Sequence, residues 1–215
     1  YFTYDFSDSP GINLTDDEIR LQVAFCADGS LLPQHREYRG RIRVKKQYKK
    51  DNIEQLLNKT HYLNRVVDDN GFNIYYLNPP IHTKSLLNCF KNVNLEQAKI
   101  ICDEVVKWDG NRKNIFRTTI KEDADFIQFL FMSVYGKQST IRIDNRVGQE
   151  YGQYERKSIC YEVNAGKYRF TNAFRKGQHW NSRLTVTDYD DGDTYMYCIN
   201  VPSHNLILRR NNKIK

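Results

Sequence analysis

The chain has 215 residues, of which 40% are hydrophobic and 27% are charged, a composition that supports one large or two small folded domains and excludes a disordered tail. Thirty-three Lys and Arg against 26 Asp and Glu leave a net charge of +7, which favours a polyanionic partner, nucleic acid first, over an acidic substrate pocket. No apolar run approaches the roughly 18–20 residues that span a bilayer, and the first residues lack the layout of a secretory signal. We therefore expect a soluble, intracellular, cytoplasmic protein with no membrane partner.

Two segments of the chain repeat one order of elements: a capped helix, an Asp-Gly stop, a basic strand, a second helix and further strands. Both first helices start with capping-box spacing and end at an Asp directly before Gly. These residues are Thr15, Glu18 and Asp28 in the first copy and Asn94, Gln97 and Asp109 in the second.

A strand with strict alternation follows each Asp-Gly stop. In residues 40–47 the alternation places Ile42 and Val44 on one face of the strand. In residues 115–121 it places Phe116 and Ile120 on one face. The apolar face predicts contact with a core, and the opposite face is suited to an anion. That opposite face carries Arg41, Arg43 and Lys45 in the first strand and Arg117, Thr119 and Lys121 in the second.

Short helices come next, each followed by strand-like segments. The helices cover residues 51–58 and 122–135, and the strands cover 62–67 and 73–77 in the first copy and 140–143 and 159–163 in the second. We therefore predict an α+β fold of two pseudo-symmetric αββαββ repeats, residues 14–90 and 91–172. Residues 173–215 have no counterpart in the first half and predict a short β-rich C-terminal segment.

The five cysteines are odd in number and scattered, with no CxxC pair and no histidine at zinc-finger spacing. A zinc site or a disulfide framework is therefore not expected. Their apolar neighbours predict small core residues in a reducing compartment. They are Cys26, Cys89, Cys102, Cys160 and Cys198.

The Asp-Gly stops place a carboxylate at the negative end of each helix dipole, an unfavourable environment unless a cation is present. If the repeats pack around a pseudo-twofold axis, Asp28 and Asp109 lie together beside the basic strand faces. Hard oxygen ligands suit Mg²⁺, which polarises a scissile phosphate and lowers the pKa of an attacking water. The pattern indicates a metal-dependent phosphodiesterase.

A structural interpretation stands beside this one, because Asp-Gly is a common helix stop and a charged sheet face is usually only solvated. The recurrence of the pair in matching contexts favours the functional interpretation.

Residues 21–29, LQVAFCADG, resemble the signature nonapeptide of the LAGLIDADG homing endonucleases, and residues 102–110, CDEVVKWDG, resemble a degenerate second copy. The resemblance covers residues 14–172. It implies a single-chain fold in which the two signature helices form the interface and curved sheets form a saddle over a long duplex target. It also implies that Asp28 and Asp109 bind Mg²⁺ and cut both DNA strands across the minor groove.

Further roles follow from the same resemblance. Basic or Gln residues at the end of the strand after the signature assist catalysis in this family, which points to Lys46, Gln47 and Lys121. The expected partner is a long, specific double-stranded DNA target bound by a monomer, with both phosphate contacts and base-edge readout. The residues expected to contact it are Arg41, Arg43, Lys45, Arg117, Thr119, Lys121 and Arg142.

The second signature departs from the family pattern. Family interfaces favour small residues, whereas this copy has Glu104, Lys107 and Trp108. These side chains predict a wider or tilted helix interface, with slow cleavage, nicking of one strand or loss of cleavage as consequences.

Residues 195–212, YMYCINVPSHNLILRRNN, are similar to a conserved block of the Hint splicing domain of inteins. An intein requires an N-terminal Cys or Ser and a final Asn, whereas this chain starts at Tyr1 and ends at Lys215. We therefore expect an intein-encoded endonuclease with part of a splicing segment rather than a self-splicing protein.

The leading hypothesis is a site-specific, Mg²⁺-dependent double-strand DNA endonuclease of the LAGLIDADG type. The alternative is a catalytically inactive, maturase-like relative of the same fold that binds DNA or RNA without cutting. The presence of both Asp28 and Asp109 favours the nuclease.

Overall fold

Helices and antiparallel sheets alternate along the chain, and this confirms the predicted α+β class. The computed structural model describes residues 9–33, 37–110, 115–135, 139–151, 154–155, 157–165, 209–210 and 213–214. The elements of the first half are α1 (Asp16–Asp28), β1 (Gly29–Leu31), β2 (Gly40–Val44), α2 (Gln47–Thr60), β3 (Leu63–Asp69), β4 (Phe72–Leu77) and α3 (Leu86–Phe90). Those that follow are α4 (Leu95–Asp109), β5 (Ile115–Thr118), α5 (Lys121–Tyr135), β6 (Thr140–Asp144), β7 (Glu150–Tyr151), β8 (Tyr154–Glu155), β9 (Cys160–Asn164), β10 (Arg209–Arg210) and β11 (Lys213–Ile214).

The two main sheets share one strand order. The first sheet runs β1-β2-β4-β3, and in the second β5-β9-β6 follow the same order, with β11 and β10 extending the sheet beyond β6. Gly110 takes the place of β1, because it bridges to Phe116 of β5 as Gly29 pairs with Ile42 of β2. Ile42 and Phe116 are therefore equivalent positions, and residues of the two halves can be matched by counting from them.

Both predicted capping boxes are present. The Thr15 hydroxyl accepts the Glu18 N–H, and the Glu18 carboxylate accepts the Thr15 N–H at 2.7 Å. Asn94 and Gln97 exchange the same pair of bonds at the start of α4. Each box satisfies two of the N–H groups that a helix start leaves unpaired, so the sequence signal and the structure coincide here.

One hydrophobic core joins the halves, because α1 and α4 pack on each other as well as on neighbouring strands and helices. Ile19 and Val23 of α1 and Ile101 and Val105 of α4 are buried at helical spacing. No helix among the described residues combines the length and the apolar character needed to cross a bilayer.

The alternation predicted for the first basic strand is confirmed, since Ile42 and Val44 are buried while Arg43 and Lys45 are exposed. The prediction for Ile120 is wrong. This side chain is 39% exposed, because β5 ends at Thr118 and the chain then turns into α5.

The helix predicted over residues 51–58 begins earlier, at Gln47, and ends at Thr60. Lys46 and Gln47 consequently lie at a helix start rather than at a strand end, and Lys121 likewise begins α5.

Cys89 and Cys102 are buried, Cys26 and Cys160 are half-buried, and all four are free thiols. Cys198 and most of the residues that resemble a splicing domain lie outside the described part of the chain. The repeat boundaries, the saddle and the C-terminal segment stay predictions.

Candidate functional site

Asp28 and Asp109 are the last residues of α1 and α4, and a glycine follows each at the point where the chain leaves the helix. A Cβ on Gly29 would lie 2.4 Å from the Phe25 carbonyl oxygen, and one on Gly110 would lie 2.1 Å from that of Val106. The chain can therefore turn from helix into strand immediately after each carboxylate only because the next residue lacks a side chain. Both Asp-Gly pairs thus occupy the same structural position.

The packing of α1 on α4 brings the two carboxylates into electrostatic contact. Burial raises the pKa of Asp109 from an ordinary 3.8 to about 6, and the negative charge of Asp28 adds to the rise. The positive charges of Lys49 and Lys84 oppose it. Negative charge is therefore concentrated where the two helices end.

The bulky residues of the second signature, Glu104, Lys107 and Trp108, each have defined contacts at or near the interface of α1 and α4. Trp108 is buried and donates from its indole N–H to the Glu104 carboxylate at 3.0 Å. Glu104 also lies 3.8 Å from Arg20 of α1 and 3.5 Å from the ammonium of Lys107. The buried Glu104 carboxylate is therefore hydrogen-bonded and lies near two cations.

Lys49, in the first turn of α2, forms an ion pair with Asp28. Its ammonium also lies 5.3 Å from the centre of the Trp108 ring. Since the last turn of α1 contains no basic residue, α2 supplies the cation that complements the negative end of that helix.

Gln47 and Lys121 occupy equivalent positions, five residues after Ile42 and Phe116 respectively. Each is the first residue of its helix and contacts the carboxylate one turn later. Gln47 donates to Asp51 at 2.7 Å, and Lys121 pairs with Asp125.

The structure also places Lys46, the third predicted assisting residue, at the helix start. It is the N-cap residue of α2, with its ammonium 6.0 Å from the Tyr48 ring. The contacts described for Lys46, Gln47 and Lys121 do not include Asp28 or Asp109.

A cavity of about 50 Å³ lies beside Asp109 and holds a few water molecules at most. Its polar lining comes from Lys84, Asp109, Thr118 and Asp123, and its walls are apolar residues of both halves. Asp109 therefore borders a small, partly open space with a mixed polar and apolar lining.

The described residues contain no group of three or more His, Cys, Asp or Glu side chains arranged to hold a metal ion. The available donor set at the helix ends is the carboxylate pair itself. Two carboxylates suit Mg²⁺, which commonly takes one or two protein carboxylates and completes its shell with water and substrate phosphate.

The exposed face of the first sheet carries the predicted basic residues. Arg43 stacks on Phe72 at 4.0 Å and pairs with Asp69 at 3.0 Å, and Lys45 lies 5.4 Å from the same ring. Arg41 is paired in register with Tyr76, which in turn pairs with Arg65 of β3. Arg65 therefore extends this face by one strand.

The exposed face of the second sheet is organised around one carboxylate. Arg117 pairs with Glu162 at 2.9 Å, and Arg142 is the register partner of Glu162 on its other side. Thr119 is exposed just after β5 ends. The predicted DNA-contacting residues thus lie on exposed sheet surfaces or at strand ends in both halves.

Sequence reasoning missed Lys49 and Arg65. The absence of Gly and Pro from residues 47–60 is compatible with a longer α2, which has Lys49 in its first turn. Alternation along β3 would have placed Arg65 on the face that carries Arg41.

No protein-family model matches the chain, and no curated protein matches it. Several solved structures are similar, among them the following three. One is a variant of I-DmoI in complex with its target DNA in the presence of Mg, with 12% identity over 69% of this chain and 88% of that chain and a TM-score of 0.43. Another is a variant of I-DmoI with its target DNA nicked in the coding strand and in the presence of Mn, with 10% identity over 69% and 87% of the two chains and a TM-score of 0.47. The third comes from mesophilic variants of the homing endonuclease I-DmoI, with 13% identity over 69% and 87% and a TM-score of 0.44.

Proposed function

We propose that the protein is a Mg²⁺-dependent, site-specific endonuclease that hydrolyses phosphodiester bonds in both strands of a long DNA target. In this proposal it is encoded within an intein and acts as a soluble, cytoplasmic monomer. The observation that carries the proposal is the equivalent placement of Asp28 and Asp109 at the ends of two packed helices, each of which leads into a sheet with the same strand order.

The carboxylate pair fits a hard divalent cation. The raised pKa of Asp109 reflects burial and the nearby charge of Asp28, and a bound cation would relieve that repulsion. When bound, Mg²⁺ polarises the scissile phosphate and lowers the pKa of the attacking water. Asp28 and Asp109 would hold it, each from one repeat.

The remaining roles belong to side chains at the two helix starts. Gln47 and Lys121 stand at equivalent positions, so each half supplies one polar group of matching placement. We assign them, together with Lys46, to orienting the attacking water and the phosphate. Lys121 adds a positive charge that Gln47 lacks, which makes the two halves chemically unequal.

DNA recognition is assigned to the exposed sheet faces. Arg41, Arg43 and Lys45 would act from the first half, and Arg117, Thr119 and Arg142 from the second. Basic side chains on both sheets would provide contacts to the phosphates of a duplex. Arginines on such a face also provide bidentate readout of guanine in the major groove.

The association with an intein rests on residues 195–212, whose sequence is similar to a block of the Hint splicing domain. A splicing test is independent of the nuclease test: flanking segments with an N-terminal Cys and a C-terminal His-Asn are added back, and ligation of the flanks is sought.

The function is tested by selecting bound duplexes from a randomised library in the presence of a chelator and then adding Mg²⁺. We expect Mg²⁺-dependent cuts at defined positions, absent from Asp28→Asn and Asp109→Asn while binding persists. Asp103→Asn is the matched control, because Asp103 is an exposed residue of the same helix α4 and an amide oxygen still accepts the Tyr135 hydroxyl.

Tight binding without cutting by the unmutated protein would contradict the nuclease. It would instead support the inactive, maturase-like alternative that binds DNA or RNA, and a parallel selection with structured RNA would separate these two ligands.

A further inference from the structure

Lys49 is held against Asp28 by two independent contacts. The ion pair joins its ammonium to Asp28, and the ring of Trp108 lies beneath the same group at 5.3 Å. The Lys49 side chain is only 13% exposed, so this is a partly buried pair rather than a surface one. Trp108 immediately precedes Asp109, where the first signature has Ala27. Trp108 of the second signature therefore packs against the ammonium of Lys49 in the first repeat.

The second repeat has no cation at the position equivalent to Lys49, and Lys49 and Lys84 of the first repeat act on Asp109 through their charge. The position equivalent to Lys49, seven residues after the strand residue that pairs with the glycine, is Asp123. Asp123 is buried and accepts the Ser85 hydroxyl and the Leu87 N–H, both at 3.0 Å, so it caps α3. Within the described ranges, no salt bridge reaches Asp109.

We propose that Lys49 is a resident counter-ion of Asp28, which it releases when that carboxylate takes up a divalent cation. This inference rests on the proposed function, because it assumes that Asp28 is a metal ligand. An ammonium in contact with a carboxylate repels a metal ion that approaches the same group and satisfies part of its negative charge. Lys49 therefore opposes cation binding at Asp28 through a direct ion pair, whereas at Asp109 the charges of Lys49 and Lys84 act without an ion pair among the described residues.

The released ammonium then needs another anion. A DNA phosphate at the helix ends would provide one, since Lys49 lies in the first turn of α2, which begins three residues after the basic strand β2 ends. By linkage, DNA that accepts Lys49 raises the affinity of Asp28 for the cation, and the cation raises the affinity for DNA. Lys49 thus couples loading of the site to the presence of substrate.

The test measures Tb³⁺ binding, with Tb³⁺ as a hard-cation probe, through luminescence sensitised by Trp108. The chain has two tryptophans, so the experiments use Trp180→Phe, which leaves Trp108 as the single indole donor. The Tb³⁺ affinity of the protein with Lys49 intact is compared with that of Lys49→Met. Lys49→Gln serves as a second variant in case the first fails to fold. Lys50→Met is the matched control, because it removes the same charge one residue further along α2.

We expect Lys49→Met or Lys49→Gln to bind Tb³⁺ about tenfold more tightly, the factor that corresponds to loss of one moderate ion pair, and Lys50→Met to change affinity less than about twofold. We also expect a non-cleavable duplex to strengthen Tb³⁺ binding in the unmutated protein and to do so less when Lys49 is replaced. A purely structural lysine that holds Asp28 in position would give the opposite sign, weaker binding in the variants.

Unchanged or weaker Tb³⁺ binding in the Lys49 variants would overturn the inference. Asp28→Asn separates this failure from that of the proposed function. If the unmutated protein binds Tb³⁺ and Asp28→Asn abolishes the signal, the metal site stands and only the role of Lys49 is at stake. If no Asp28-dependent signal exists, the metal site itself is contradicted and the inference fails with it.

Discussion

Replacement of Asp109 by Asn is expected to stabilise the metal-free protein. The fold raises the pKa of Asp109 from 3.8 to about 6, chiefly by burial and next by the charge of Asp28. A raised carboxyl pKa means that the folded state disfavours the ionised form. At about 1.36 kcal/mol per pKa unit, the ionised group costs the fold about 3 kcal/mol.

Because the pKa of Asp109 is raised in the folded state, ionisation of Asp109 destabilises the fold increasingly as the pH rises. Near pH 4 and below, Asp109 is largely protonated in the folded state and partly so in the unfolded state, so the cost is small. It grows as pH rises from about 4 to 6 and is complete above that range. Asn has nearly the same shape and no charge, so Asp109→Asn should gain about 2–3 kcal/mol at pH 8 and under about 1 kcal/mol at pH 4.

The assay is urea unfolding in a chelating buffer at both pH values. Asp103→Asn, an exposed carboxylate on the same helix, should stay within about 0.5 kcal/mol of the unmutated protein. The reasoning is refuted if Asp109→Asn is no more stable at pH 8, or if its gain is the same at pH 4. Either result would mean that Asp109 is not held in a charge-disfavouring environment.

Three further predictions concern the turn after α4, the start of α1 and the surface proposed to contact DNA. Gly110→Ala should lower the free energy of unfolding by about 2 kcal/mol or more, since the new Cβ would lie 2.1 Å from the Val106 carbonyl oxygen. An unfolding free energy equal to that of the unmutated protein, measured with urea, would contradict this. Thr15→Ala removes the acceptor of the capping box and should cost about 1 kcal/mol in the same assay, with an unchanged midpoint as the opposing result. Arg142→Gln should weaken duplex binding and reduce the slope of log affinity against log salt by about 1, and equal slopes would show that Arg142 does not contact phosphate.

Local signals in the sequence predicted the helix starts of α1 and α4 correctly. Thr15 and Asn94 cap their helices through residues three positions later, so every atom involved lies within one turn. The alternation of Ile42 with Arg43 was predicted for the same reason, because strand period alone decides which side chain faces the core.

Errors arose where the chain changes from strand to helix. From periodicity alone, the strand after α4 was predicted to reach Ile120 and α2 was predicted to begin at residue 51. In the structure β5 ends at Thr118, β2 ends at Val44 and α2 begins at Gln47. Where a strand stops depends on its sheet partners, which hydropathy does not record.

The composition of the site depends on tertiary packing and was only half predictable. Asp28 and Asp109 were found because duplication marks them twice in the sequence. Lys49 was missed because its partner is 21 residues away and its equivalent, Asp123, is a helix-capping carboxylate of opposite charge. A search for repeats detects what the halves share and passes over the positions at which they differ.

The most direct measurement replaces Mg²⁺ by Fe²⁺ and generates hydroxyl radicals in place, so that the polypeptide is cut where the metal binds. If Asp28 and Asp109 share one metal centre, the backbone is cut near residue 28 and near residue 109, and both cuts disappear with excess Mg²⁺ and in Asp28→Asn combined with Asp109→Asn. Cuts near only one of the two residues, or cuts that persist in the double variant, would contradict a shared centre at the two helix ends.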